Sequence, residues 1–265
     1  MIGRREAAQW AELLGVTIPQ IARDHLLSHV LAALPQLDEA SPPVFVGGTA
    51  LSRTYLQGLR VSEDLDLLVA DERDYADRLR ERLPRLLRRP YPDLAVGPGV
   101  LVPRGLSLLL TTGAAPSAEV QLLAPEPGDE HLDLAHRGVV LRYEGLPDTV
   151  EWCVPTAASF VALKLVSYLD RREPRDLFDL AHLADLGEVT ARAAEIFARL
   201  TGAPHNPPPS PVCRQRRPAP GTSVLPTRRP SPVAPTMRCG ACVRHSSDCR
   251  ATRSFPVWWG LGCPG

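Results

Sequence analysis

The sequence predicts an α+β fold: a mixed sheet with flanking helices, followed by a helical cap and a disordered C-terminal tail. Three observations predict it. Apolar residues recur at helical spacing near both ends of residues 1–202, and short apolar runs bounded by Gly, Pro and Asp fill the middle. The last 63 residues hold 13 of the 28 Pro and five of the six Cys. Dense Pro removes backbone donors and fixes φ, so such a stretch carries neither helix nor ladder and cannot offset its ordering entropy by burial.

The elements follow in order. Residues 13–37 read as a helix, with Ile18, Ile21, Leu26, Val30 and Leu34 near helical spacing and Pro19 tolerated in a first turn. Val44, Phe45 and Val46 form a short strand running into Gly47-Gly48, and 49–57 reads as the next helix. Residues 64–70 alternate acid and apolar before becoming apolar throughout, as a strand with one open face does. Residues 74–89 are a basic helix with Pro84 as a kink or break. Four short strands are expected at 99–103, 106–112, 118–123 and 138–143, then helices at 157–171, 175–186 behind Pro174, and 189–200. The expected domains are an αβ region at 1–150, a helical cap at 151–202 and the tail at 203–265.

The formal charge of zero averages two unlike parts. The tail has nine Arg and one acid, Asp248, a net +8, which leaves residues 1–202 with 21 Lys+Arg against 29 Asp+Glu. No run approaches the roughly 18 apolar residues of a membrane span, and the N-terminus lacks the basic-then-apolar order of a signal peptide. A cytoplasmic protein without a membrane segment is expected.

The chemistry concentrates in residues 46–69, VGGTALSRTYLQGLRVSEDLDLLV. Asp64 and Asp66, two apart on a strand, project to one face with Cα atoms about 6.6 Å apart. Two acids so placed repel, and a divalent cation held by both is one resolution; oxygen-only ligands suit Mg²⁺, with water and substrate phosphates completing its shell. The other reading is two solvent-facing acids on an edge strand. Upstream, Gly47, Gly48 and Thr49 lie between a strand and a helix, where free amides and the helix dipole favour a phosphate. Arg60 and Ser62 add charge and a hydroxyl just before the acids.

GGTALSRTYLQGLRVSEDLDL resembles the first motif of the DNA polymerase beta-like nucleotidyltransferases, and its GGTAL followed by R-x-S-x-D-x-D resembles the AbiEii/AbiGii toxin family among them. Residues 21–34, IARDHLLSHVLAAL, are similar to that family's lead-in helix, with its basic-acidic pair at Arg23-Asp24. Residues 164–180, KLVSYLDRREPRDLFDL, resemble its second hallmark, a Lys and an Arg seven apart followed by R-D-L-x-D-L. The resemblance implies a two-metal nucleotidyltransferase of the polymerase-beta-like fold. It makes Asp64 and Asp66 metal ligands, Gly48 and Thr49 holders of the triphosphate, and Lys164 and Arg171 phosphate contacts. It also implies an NTP substrate, two Mg²⁺ ions, a tRNA 3′ end as acceptor and an AbiEi-like antitoxin as genetic partner. Transfer of the γ-phosphate, transfer to a protein or small molecule, and a non-catalytic degenerate member are the competing readings.

Residue chemistry bears on the same positions independently. Spacing of seven brings Lys164 and Arg171 to one helix face, two turns or about 10.5 Å apart, with Ser167 between them. Lys164 is the one Lys among 30 basic residues, which suggests that a compact ammonium is needed there. Asp176 begins the next helix, three residues before Asp179, where it either braces Arg171 or Arg175 or acts in catalysis. The resemblance further implies a third carboxylate on a neighbouring strand, and 118–123 offers Glu119 as that metal ligand and base, brought beside Asp66 by a hairpin of 106–112 and 118–123; a solvent-facing Glu119 is the other reading, and Asp93 and Asp133 are weaker candidates.

His25, His29, His131, His136 and His182 read as core or surface residues rather than ligands. Cys239, Cys242, His245 and Cys249 have the spacing C-x₂-C-x₂-H-x₃-C of a zinc site, but the flanking sequence offers no element to support one. The abrupt end of the helical pattern at Thr201-Gly202 reads as a change of frame in the gene; a basic arm for RNA phosphates is the functional alternative.

Overall fold

The structure, a computed structural model, describes residues 2–37, 42–113 and 116–202. The expectations of disorder, frame change and zinc in the tail fall outside the described residues.

Two helices open the chain where one was expected. Helix α1 (Arg4–Leu14) ends at Gly15, whose left-handed φ of 65° lets its amide and the next reach back to Ala11 and Glu12. Helix α2 (Ile18–Ala33) begins on a capping box between Thr17 and Gln20. This stop and start, three residues apart, divides what apolar spacing alone joins. After β1 (Val44–Val46) the chain turns directly into α3 (Gly47–Thr54), then forms β2 (Asp64–Leu68) and α4 (Glu72–Leu86). Asp71 caps α4 by accepting from the amides of Arg73 and Asp74, and Pro84 sits in the last turn without breaking it earlier.

The remaining strands are β3 (Ala95–Val96), β4 (Val100–Val102), β5 (Gly105–Thr111), β6 (Ala118–Leu123), β7 (Leu134–Val140) and β8 (Thr149–Pro155). The main sheet has the order β1-β2-β6-β5-β3, with β4 also paired to β5. Strands β2 and β6 run parallel and the other pairs antiparallel, so the sheet is mixed as expected. Strands β7 and β8 form a separate hairpin, fixed to the sheet through Trp152, whose ring lies 5.5 Å from Phe45. The alternation of Val150, Trp152 and Val154 that makes β8 was present in the sequence and not read as a strand.

Period two divides the sheet into unlike faces. Leu65, Leu67, Leu108, Leu110, Val120 and Leu122 are buried and pack toward α2 and α4. On the other face lie Asp64, Asp66, Ser107, Glu119 and Gln121, which α2 and α4 do not cover. Helices α5 (Ala157–Arg171), α6 (Pro174–Asp185) and α7 (Ala191–Thr201) complete the fold, with α5 capped by Thr156 and closed by Arg172 at a φ of 53°.

Candidate active site

A cleft of about 220 Å³ opens between the acidic face of the sheet and α5. Gly47, Gly48, Asp66, Lys164, Ser167 and Arg171 line it, so residues from the two separated motifs meet there. The glycines are required by what touches them. Gly47 has a φ of 77°, and a Cβ on it would lie 1.8 Å from Asp66 Oδ2; one on Gly48 would lie 2.7 Å from Arg60 Nη2 and 3.2 Å from Ser62 Oγ. The turn from β1 into α3 is thus pressed onto the carboxylate and onto Arg60 and Ser62.

Register sets the acids. Strand pairing puts Val46 opposite Asp66 and, on the other side, Asp64 opposite Glu119 and Asp66 opposite Gln121. Glu119 is therefore level with Asp64, not beside Asp66 as expected. Glu119 Oε1 accepts from Ser107 Oγ of β5 at 2.5 Å and from Gln121 Nε2 of its own strand at 3.4 Å. Among the described residues no three His, Cys, Asp or Glu side chains gather as a metal-holding group. Glu119 stands on the neighbouring strand directly across from Asp64.

Burial raises the Asp66 carboxyl to about 6, and the charges of Asp64 and Glu119 push the same way against Lys164 and Arg171. Asp64 is raised too, by burial and then by Glu119, while Arg175 and Arg23 oppose. The pair is thus short of positive charge, and that deficit fits a divalent cation: Asp66 at the glycine-lined cleft, with Asp64 two residues before it on the same strand face, offers the carboxylate oxygens Mg²⁺ takes.

The cations nearby are largely committed. Lys164, 6% exposed, holds Asp176 at 3.0 Å and Asp179 at 2.8 Å. Arg171 grips Asp176 with two bonds of 2.8 and 2.9 Å, and Arg60 grips Asp179 with two of 2.7 Å. Burial alone would raise Asp176, but Arg171 and Lys164 hold it below its ordinary value. Of the two roles open to Asp176, the geometry is that of bracing. Asp179 was noted only as its neighbour; its i, i+3 spacing from Asp176 was the available signal. An ammonium has three N–H groups, so Lys164 keeps one for the cleft it lines.

Thr49 departs from expectation. Its hydroxyl, expected on a phosphate, donates to the Asp64 carbonyl at 2.5 Å and ties α3 to β2. The basic helix α4 also differs from a free cationic surface. Arg78 pairs with Asp74 at 2.7 Å, Arg80 with Asp77 and Arg85 with Glu81 at 3.4 Å, while Arg82 donates to the carbonyls of Gln36 and Leu37. His25 and His29 lie four apart on α2, a spacing the sequence reading passed over, with ring centroids 4.7 Å apart. Burial lowers them to about 3 and about 4, and His25 shares a hydrogen bond with Tyr91, so they are neutral core residues.

Comparison with known proteins bears on the fold and the family. Among solved structures, the chain is similar to MenT4, a nucleotidyltransferase toxin from Mycobacterium tuberculosis, with a TM-score of 0.55 and 22% identity over 74% of this chain and 70% of that one. That likeness concerns the fold. An antigenic nucleotidyltransferase-like protein from Paracoccidioides brasiliensis aligns with a TM-score of 0.42 and 19% identity over 68% of this chain and 88% of that one, too distant to argue from. No curated protein matches. The family described as nucleotidyl transferase AbiEii toxin, type IV TA system, matches residues 29–222, which takes in both motifs and runs past Gly202. The chain belongs to the AbiEii family of nucleotidyltransferase toxins of toxin–antitoxin systems.

Proposed function

We propose that this chain transfers a nucleoside monophosphate from an NTP to the 3′ end of a tRNA, releasing pyrophosphate. The observation that carries the reading is the meeting, in one cleft, of Asp66, the Gly47-Gly48 turn, Lys164 and Arg171. Amides at the start of α3 and the remaining N–H of Lys164 hold the triphosphate, and the i, i+7 placement of Arg171 extends that contact along α5. Asp64 and Asp66 would hold magnesium, two ions in the family scheme, which when bound neutralises phosphate charge and acidifies the acceptor hydroxyl. Glu119, level with Asp64, takes the hydroxyl proton as the new O–P bond forms and the bond to pyrophosphate breaks.

Arg60 and Lys164 stay fixed because Asp179 binds both, and Asp176 does the same for Lys164 and Arg171. Such anchoring spares reorganisation as charge moves. Arg23 and Arg175 act electrostatically on Asp64 from α2 and α6, which suits an anionic acceptor entering on that side. The reading includes work in the cytoplasm and an AbiEi-like antitoxin; the family's toxin–antitoxin description supports the latter. Among the described residues no helix is long and apolar enough to cross a membrane.

The test is incubation of the purified chain with tRNA, magnesium and NTP radiolabelled at the α or the γ phosphorus. Label from the α position on tRNA, lost with Asp66→Ala, is expected. Label from the γ position would make the chain a kinase; unlabelled tRNA with NTP turnover would point to a protein or small-molecule acceptor, and no turnover of either NTP to a non-catalytic chain.

A further inference from the structure

The cleft continues beyond the groups just described. Leu68, two residues past Asp66 on the same face of β2, pairs in register with Leu123 of β6, and both line the cleft with Leu163 and Phe160 of α5. One step further the chain after β6 meets the β4–β5 turn, where the Ala124 amide donates to the Arg104 carbonyl at 2.9 Å. Arg104 and Asp129 line this far end and form an ion pair with each other. The cleft therefore runs from a phosphate-binding end through an apolar slot to a polar pair. Both residues of that pair lie outside the motifs that define the family.

Their hydrogen bonds leave a remainder. Arg104 Nε reaches the Ala124 carbonyl at 3.3 Å and Glu126 at 3.4 Å, and its Nη2 is taken by Asp129 Oδ2. That same Oδ2 accepts from the Glu126 amide at 2.8 Å. Among the described residues, Arg104 Nη1 and Asp129 Oδ1 have no hydrogen-bond partner. A donor group and an acceptor thus remain on one held pair, beside an apolar slot. An NTP has the same order of chemistry: an anionic triphosphate, a flat base with apolar faces, and an edge on which an acceptor stands next to a donor.

We propose that Arg104 and Asp129 bind the edge of the nucleobase and set which NTP this chain uses, an inference that rests on the nucleotidyl-transfer reading. The guanidinium donates to the base acceptor and the carboxylate receives the base N–H. A base presenting these groups at another position leaves a partly buried charge pair unmatched, which is how such sites discriminate.

The test is calorimetric binding of the four α,β-methylene NTPs, which cannot be transferred, and of inorganic tripolyphosphate. The proteins compared are wild type, Arg104→Lys and Asp129→Asn, each checked for an unchanged melting transition. Asn keeps an acceptor for the Glu126 amide, and Lys keeps the charge. The wild type is expected to prefer one base, and each folded variant to lose roughly tenfold of that preference while its tripolyphosphate Kd stays within about twofold. A flat wild-type profile, or a preference retained in both variants, overturns the proposal and leaves nucleotidyl transfer standing. A wild type that binds tripolyphosphate and NTPs not at all overturns both.

Discussion

The eight-residue helix α3 has an aspartate against each end, Asp24 buried and Asp66 half-buried, and the two are opposites. At its last turn Arg53, fully buried, binds Asp24 at 2.7 Å, Ser28 Oγ at 2.8 Å and the Val140 carbonyl at 2.8 Å. Arg142 and the Tyr143 hydroxyl bind the second Asp24 oxygen at 3.3 and 2.6 Å. Burial alone would raise Asp24, yet Arg53 and Arg142 hold it below its ordinary value. At the first turn, Asp66 lies against Gly47 and is raised to about 6 by burial and then by the charge of Asp64, which Lys164 and Arg171, themselves bound to Asp176 and Asp179, offset only in part. One carboxylate has surplus partners and stabilises the fold; the other is left short, which costs stability and marks a candidate site. Burial pushes both carboxyls up, and the charges around each decide whether the net shift is down, as at Asp24, or up, as at Asp66.

Breaking the deficient end should have the largest effect. Asp66→Asn removes a proposed metal ligand and is expected to cost several kcal/mol of transition-state stabilisation, roughly a thousandfold in turnover, measured as α-label transferred to tRNA. The fold should persist, since a like-charge repulsion goes with it. Breaking the other end should do the reverse. Asp24→Ala leaves the Arg53 guanidinium buried without its counterion and is expected to cost about 3–5 kcal/mol in urea unfolding. Equal activity losses from both, at equal stability, would erase the distinction.

Acid sharpens the comparison because the two ends respond with opposite sign. Asp66 has its folded pKa raised from 3.8 to about 6, so its contribution is fully favourable below pH 4 and is lost as pH rises through 6. In chelator-treated protein, stability relative to Asp66→Asn should fall by up to about 3 kcal/mol across that window. Adding magnesium should restore part of the loss above pH 6 in wild type only. Asp24 is lowered, so its contribution is present above its unfolded pKa of 3.8 and disappears as pH falls below it. A wild type and an Asp66→Asn variant with parallel stability curves would show that Asp66 is solvated like an ordinary carboxylate.

What the sequence disclosed follows from the range of each interaction. Period two on a strand and seven residues on a helix are local, so Asp64 with Asp66 and Lys164 with Arg171 were legible, as were Gly47 and Gly48 from their place between β1 and α3. Partners set by the fold were not. Arg60 and Asp179 are 119 residues apart, and nothing near either names the other. Register between β2 and β6 is a parallel crossover decision, and it put Glu119 level with Asp64. Arg53 reads as a surface residue of a polar helix until α2 and the end of β7 close around it. Arg104 and Asp129 carry no motif and belong to the cleft only because β6 ends beside the β4–β5 turn. Helix α1 and strand β8, by contrast, carry local signals, the Gly15 stop and the alternation of Val150, Trp152 and Val154.

The smallest expected effect bears on how α3 connects its two ends. Thr49, 1% exposed, donates its hydroxyl to the Asp64 carbonyl, fixing the glycine turn over the strand that carries both acids. Thr49→Val keeps the volume and deletes that donor, leaving a carbonyl without its partner, so about 1 kcal/mol should be lost in urea unfolding. If the hydroxyl serves only to hold α3 on β2, the KM for NTP should stay within about twofold, while kcat falls modestly as the turn loosens over Asp66. A hydroxyl that contacted the triphosphate would give the reverse, a raised KM at unchanged stability. The variant therefore distinguishes a helix that binds substrate by its side chains from one that binds through amides alone and is held in place by bonds to its neighbours.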